Sequence, residues 1–184
     1  LAAFDNSDTV HYIGYDLFED ATTETDKEEF NAKPHNTMEA VEKRFDEFAE
    51  HMKKEKSKKF THELHKGNVR DTLKPTYTDE VDFALIGSGN SIETVAHEFN
   101  ILKSIPVIVG DHFFTKEDED KIPEEKFQGM KKLFDSIPTK KLHEEKTTDD
   151  GWTTFDEKSH VRKHVLPSDD KVLGGGRTHL VVFL

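Results

Sequence analysis

Apolar positions along this chain recur with two periods, one suited to strands and one to helices, and the two alternate. Residues 9–15 (Thr-Val-His-Tyr-Ile-Gly-Tyr) are rich in β-branched and aromatic side chains and stop abruptly at Asp16, which predicts a strand. Residues 19–36 are acidic and polar without period and predict a loop. From Thr37, the residues Met38, Val41, Phe45, Phe48 and Met52 fall at steps of three and four, the stripe of an amphipathic helix. A short strand is expected over 60–65, before Gly67, and a turn or short helix over 68–73.

The central segment carries the strongest pattern. Residues 81–86 (Val-Asp-Phe-Ala-Leu-Ile) form the nearly continuous apolar run expected of a strand covered on both faces. Gly87, Ser88 and Gly89 interrupt it. Asn90 and Glu93 then stand as the N-cap and N3 residues of a capping box. Ile92, Val95, Ala96, Phe99 and Leu102 mark one face of the helix that follows. Another buried-type strand is expected over 106–109, ending in Gly110-Asp111. Strand, glycine turn, helix and strand make a βαβ unit, hence a parallel sheet with a right-handed crossover.

Beyond Asp111 the pattern loosens. Residues 115–126 are charged, Phe127, Met130, Phe134 and Ile137 predict a helix, and 138–150 read as a loop. Two last strands are expected over 161–166 and 178–184, separated by Gly174-Gly175-Gly176, as an antiparallel hairpin at a sheet edge. The expectation is a single α/β domain over 1–184, its sheet mostly parallel, with helices on both faces.

Composition narrows the function. Hydrophobic residues make up 33% and charged residues 35%, so a thin core lies under a heavily charged surface. The 14 Phe residues, against one Trp and three Tyr, carry much of the burial. A net charge of −12 argues against nucleic acid and anionic membranes as partners. The densest lysine run, Lys53, Lys54, Lys56, Lys58 and Lys59, reads either as a local basic patch or as a solvated helix end complementing the helix dipole. No stretch approaches the roughly 18 apolar residues of a spanning helix, and no signal peptide is visible. The absence of cysteine excludes disulfides, thiolate metal sites and a cysteine nucleophile, and fits a reducing compartment. A soluble, cytoplasmic protein is expected. Because the chain opens on Leu1 and meets a strand within about ten residues, an upstream stretch is expected as well.

Several polar positions compete for chemistry. Gly87-Ser88-Gly89-Asn90 follows a predicted strand, where α/β proteins bind ligands, and reads either as a nucleotide turn or as a plain βα turn. Ile92 stands where the dinucleotide fingerprint needs its third glycine, and too few strands follow Asp111 to complete such a sheet. Asp16, at a strand end, can accept both hydroxyls of a ribose or serve as a loop cap. Asp111 and His112 can hold a hard cation, take part in proton transfer, or simply end a strand. His62 and His65 lack zinc-protease spacing and face opposite sides of a strand.

Taken in order, the segments resemble class I S-adenosylmethionine-dependent methyltransferases of the macrocin and sugar O-methyltransferase type. Tyr12-Ile13-Gly14-Tyr15-Asp16-Leu17-Phe18-Glu19 resembles the family's second strand. Gly67-Asn68-Val69-Arg70-Asp71-Thr72-Leu73 is similar to its Gly-Asn-x-x-Glu-Thr-Leu turn after the third. Asp82 to Ile86 with Ser91 to Val95 resembles the fourth strand and its helix, and Val107 to Phe114 the fifth with its acidic end.

The resemblance implies a Rossmann-like sheet closed by an antiparallel β6–β7 hairpin, although the family's first strand and its glycine-rich donor loop are not visible ahead of residue 9. It implies S-adenosylmethionine as cofactor, with Asp16 on the donor ribose, Asn68 near the adenine, and Gly87 and Ser88 in the donor site. Asp111 and His112 would line the acceptor side, His112 as general base, and the acceptor would be a small molecule or sugar. Where the family carries acids and a histidine, this chain has Gly87, Gly110 and Asn90, which leaves magnesium at Asp111 an open question. A catalytically inactive binding or scaffold protein and an NAD(P)-binding oxidoreductase are the competing expectations. A second copy of the chain remains a further open partner.

Overall fold

The computed structural model describes residues 8–28, 35–75, 81–87, 91–113, 128–137, 152–156, 161–166 and 179–183. Contacts divide the chain into two compact units, one of residues 1–26 and 32–73, the other of residues 27–31 and 74–184. The architecture is mixed α/β.

In the first unit, β1 (Thr9–Asp16) pairs in parallel with β2 (Lys59–Lys66), with Tyr12 opposite His62 and Asp16 opposite Lys66. The crossover between them is α1 (Met38–Lys56). The helix begins where the sequence predicts, because Thr37 Oγ1 accepts the N–H of Ala40 at 3.2 Å. It ends at Ser57, left-handed with φ 53°, and Lys53, Lys54 and Lys56 complement the dipole of its last turn.

The apolar stripe of α1 lands on one face of this small sheet. Phe45 packs on Tyr12 with ring centroids 4.9 Å apart, and Phe48 meets Phe60 edge-on at 5.0 Å. Tyr12 lies so close over Gly14 that a Cβ there would come within 2.7 Å of its ring, so glycine is what lets the ring settle. His62 stacks among Phe45 and Phe60, whereas His65 stacks on Tyr15 at 4.6 Å, on the opposite face. After β2 comes the four-residue helix α2 (Val69–Thr72), which buries Val69.

The second unit is a five-stranded sheet in the order β3-β4-β7-β6-β5. Here β3 is Phe83–Ile86, β4 Val107–Phe113, β5 Trp152–Asp156, β6 Val161–Leu166 and β7 His179–Phe183. β3 and β4 are parallel, joined by α3 (Ile92–Leu102). β7 runs antiparallel to both β4 and β6, and β6 antiparallel to β5. Together with α4 (Gly129–Ser136), α3 packs Val95, Phe99, Met130 and Leu133 against Ile86 and Ile108.

Five details depart from the sequence expectations. The described strands form two sheets rather than one mostly parallel sheet, and three of the four pairings in the larger are antiparallel, because β5, β6 and β7 add to it as antiparallel neighbours. The N-cap of α3 is Ser91, whose Oγ accepts the N–H of Thr94 at 3.3 Å, one residue later than a capping box on Asn90 and Glu93 would put it; Asn90 itself lies outside the described residues. β3 buries Ile86 completely but leaves Phe83 56% and Leu85 61% exposed, so its apolar run is not covered on both faces. Among the described residues, α3 and α4 share one core cluster, on one face of the sheet rather than two. β5 was not expected, and it, rather than the β6–β7 pair, forms the far edge. The expected charged stretch at 115–126 and the glycines at 174–176 lie outside the described residues.

Candidate functional site

Parallel pairing carries β1 and β2 to the same end together. Asp16 is opposite Lys66, and the N–H of Gly67 donates to the Asp16 carbonyl at 2.9 Å. Gly67 has φ 132°, a backbone region that L side chains rarely adopt, and this turns the chain into Asn68. Asn68 caps α2, its Oδ1 accepting the N–H of Arg70 at 3.0 Å. Two residues picked from separate segments of the sequence, Asp16 and Asn68, thus share the carboxyl end of one parallel strand pair. Both are exposed. In open α/β sheets, ligands bind beyond the carboxyl ends of the strands.

The turn after β1 is tightly tied. The N–H of Phe18 donates to Asp16 Oδ1 at 2.6 Å, from a left-handed residue with φ 51° whose ring is buried. An ionised carboxylate has about four acceptor positions, so this bond fixes one oxygen and leaves capacity for hydroxyl donors. Next along the chain, Glu19 Oε2 accepts the N–H of Met38 at 2.8 Å and Glu19 Oε1 accepts from Lys66 Nζ at 2.9 Å. Asp20 Oδ1 also accepts from Lys66 Nζ, at 3.3 Å. Hydrogen bonds from the backbone N–H groups of Glu19 itself and of Met38, and then from Lys66, lower the Glu19 carboxyl to about 2. The bonds to Glu19 and Asp20 raise Lys66 in turn.

Sequence reasoning missed Glu19 and Lys66. It assigned residues from 19 onward to loop, and Glu19 and Lys66 are 47 residues apart, so no local pattern marks the pair. The one available signal was chemical: an acid just past a strand end, in a chain whose next helix start needs an acceptor.

The remaining candidates belong to the second unit. Gly87 follows β3, and a Cβ there would meet nothing within 4 Å; Ser88 lies outside the described residues. Asp111 and His112 lie within β4 rather than beyond its end, because the strand runs on to Phe113 past a register irregularity between Gly110 and Phe113. Asp111 is half-buried. Among the described residues, no group of three or more His, Asp or Glu side chains gathers to hold a metal. A hard cation takes several oxygen ligands, and the residues that follow β4, from 114 to 127, lie outside the described residues. No helix among the described residues is long and apolar enough to cross a membrane. Comparison with family models, with curated proteins and with solved structures finds no match for this chain.

Proposed function

We propose that the chain is an S-adenosylmethionine-dependent methyltransferase acting on an oxygen of a small molecule or sugar. The observation that carries this reading is the meeting of Asp16 and Asn68 at the carboxyl end of β1 and β2. An exposed carboxylate with one oxygen already oriented suits the two hydroxyls of a ribose, and Asn68 follows the positive-φ Gly67 at the end of the neighbouring strand. The parallel β3–β4 pair and the antiparallel pairing of β6 with β7 support the finer fold reading of a class I methyltransferase sheet.

In this reading Asp16 binds and orients the ribose, and Asn68 borders the adenine. Gly87 and Ser88 are assigned to the donor by the sequence resemblance alone. The bound donor supplies a methyl group carried on a sulfonium. A ring nitrogen of His112 takes the proton that the acceptor hydroxyl loses, and Asp111 orients the acceptor. One base together with an in-line approach suffices for methyl transfer to oxygen, and no step is assigned to magnesium. The acceptor partner is a small molecule or sugar, and the acidic surface disfavours nucleic acid.

A second reading is an inactive methyltransferase-like binding protein. Gly87 and Gly110 favour it, since neither carries a side chain where the resembled family has acids. Calorimetric titration with S-adenosylmethionine and S-adenosylhomocysteine, with and without magnesium, tests both. Micromolar binding followed by transfer to an acceptor supports the enzyme. Donor binding without transfer across an acceptor panel favours the second reading, and no donor binding ends the first.

A further inference from the structure

Three segments meet at the carboxyl end of β1 and β2, and the Glu19 side chain joins all three. One of its oxygens holds the N–H of Met38 at the start of α1, and the other holds Lys66 at the end of β2. Its own backbone belongs to the turn leaving β1, whose form is fixed by the N–H of Asp20 on the Leu17 carbonyl at 3.0 Å and of Ala21 on that of Phe18 at 3.2 Å. Inside this turn sits Phe18, left-handed, with its N–H on the Asp16 carboxylate. A non-glycine residue persists in that conformation only where its surroundings hold it there. Burial of the Phe18 ring holds it on one side, and the anchored Glu19 holds it on the other.

We infer that Glu19 is a positioning residue for the donor ribose: by clamping the 17–20 turn to α1 and β2, it keeps the Phe18 N–H on Asp16 and so fixes the orientation of the Asp16 carboxylate. The inference rests on the reading of Asp16 as the ribose ligand. Glu19 has no contact with the donor in this scheme. Its pairing is exposed, and an exposed ion pair contributes little to global stability, so its loss leaves the fold standing and loosens the turn. A purely structural role would do the reverse, lowering stability without touching ligand binding.

The test uses the full chain as wild type, Glu19→Gln and Glu19→Ala. Each is titrated with S-adenosylhomocysteine, and hydrogen exchange of the Phe18 amide is followed in the free protein. Glu19→Ala is expected to bind about tenfold more weakly. Glu19→Gln, whose amide oxygen still accepts one of the two bonds, falls between it and wild type. Phe18 exchange quickens in the same order.

Undiminished binding by Glu19→Ala, where wild type binds, overturns the inference and leaves the Asp16 assignment intact. Weaker binding without faster Phe18 exchange overturns it too. No binding by folded wild type removes the methyltransferase reading, and the inference falls with it. If Glu19→Ala does not fold, Lys66→Met removes the other end of the clamp while keeping the bond to Met38. It is then expected to weaken binding about threefold with faster Phe18 exchange, and wild-type behaviour in both overturns the inference.

Discussion

The N–H of Phe18 donates to Asp16 Oδ1 at 2.6 Å, and Phe18 makes that bond from a left-handed conformation. A side chain with a Cβ pays roughly 1–2 kcal/mol for this region, whereas glycine enters it freely. The ring repays the cost, since it is buried to 6% exposure. Two substitutions separate the backbone from the ring. Phe18→Ala keeps the backbone cost and loses the burial, at about 3–5 kcal/mol. Phe18→Gly loses the same burial but relaxes the backbone, so it is expected to be more stable than the alanine variant by about 1 kcal/mol. Urea unfolding of both variants checks this, and an alanine variant at least as stable as glycine contradicts the strain at φ 51°.

Asp16 has two tasks that can be divided. Its Oδ1 holds the Phe18 amide, and its charge serves the proposed ribose bonds. Asp16→Asn retains an oxygen acceptor, so its stability should stay within about 0.5 kcal/mol of wild type. Hydrogen bonds to an ionised acceptor are about twice as strong as neutral ones, so S-adenosylhomocysteine should bind this variant about tenfold more weakly. Asp16→Ala also strips the Phe18 amide of its acceptor, costing about 1 kcal/mol, and should abolish measurable binding. Wild-type affinity in Asp16→Ala would remove Asp16 from the site.

Glu19 and Lys66 make the first unit sensitive to pH in a defined sense. The Glu19 carboxyl lies near 2 in the folded chain against 4.5 unperturbed. Its contribution is therefore complete above about 4.5 and is lost as pH falls through the interval down to about 2. Lys66 is raised, so its contribution is complete below 10.5 and is lost as pH rises past that value through the folded pKa. Both groups are exposed, and salt should shrink the effect. The acid limb of a plot of thermal midpoint against pH should be shallower for Glu19→Gln than for wild type. Superimposable limbs would show that Glu19 titrates normally.

His112 carries the proton-transfer half of the proposal. General-base removal costs roughly 10²–10⁴ in rate. His112→Ala should therefore lose turnover on that scale while S-adenosylhomocysteine affinity stays unchanged, because no donor contact is assigned to it. Equal loss of affinity and rate would give His112 a binding or structural role instead.

The sequence made some of this legible and hid the rest for identifiable reasons. Thr37 and the stripe from Met38 to Met52 located α1 because capping and periodicity are local. The resemblance assigns Asp16 and Asn68 to one donor site, and the parallel register of Tyr12 on His62 and Asp16 on Lys66 sets them at one end of a strand pair. β4 ran past its expected end at Asp111 because its pairing continues to Phe113 opposite His179 of β7, a partner far away in sequence. β5 went unseen because Trp-Thr-Thr-Phe-Asp is short, and its pairing with β6 is tertiary. The clamp at Glu19 was invisible for the same reason, since Lys66 arrives from another strand.

Ile86 and Leu85 are neighbours on β3 and lie at opposite extremes, fully buried and 61% exposed. Alternation along a strand sends one side chain into the cluster of Val95, Phe99, Ile108 and Met130 and the other away from it. Ile86→Ala should therefore cost about 2–5 kcal/mol, the transfer of its methyl groups plus the cavity left among those partners. Leu85→Thr should stay within about 0.5 kcal/mol, since an exposed strand position favours a β-branched residue and loses little burial. β3 is also an end strand of the described sheet, with Phe83 exposed beside Leu85. An uncharged apolar edge invites pairing with other chains, so Leu85→Lys should lower concentration-dependent light scattering without lowering the unfolding midpoint. Comparable costs for Ile86→Ala and Leu85→Thr in urea would mean that Leu85 is buried in solution, and would overturn the one-sided packing of β3.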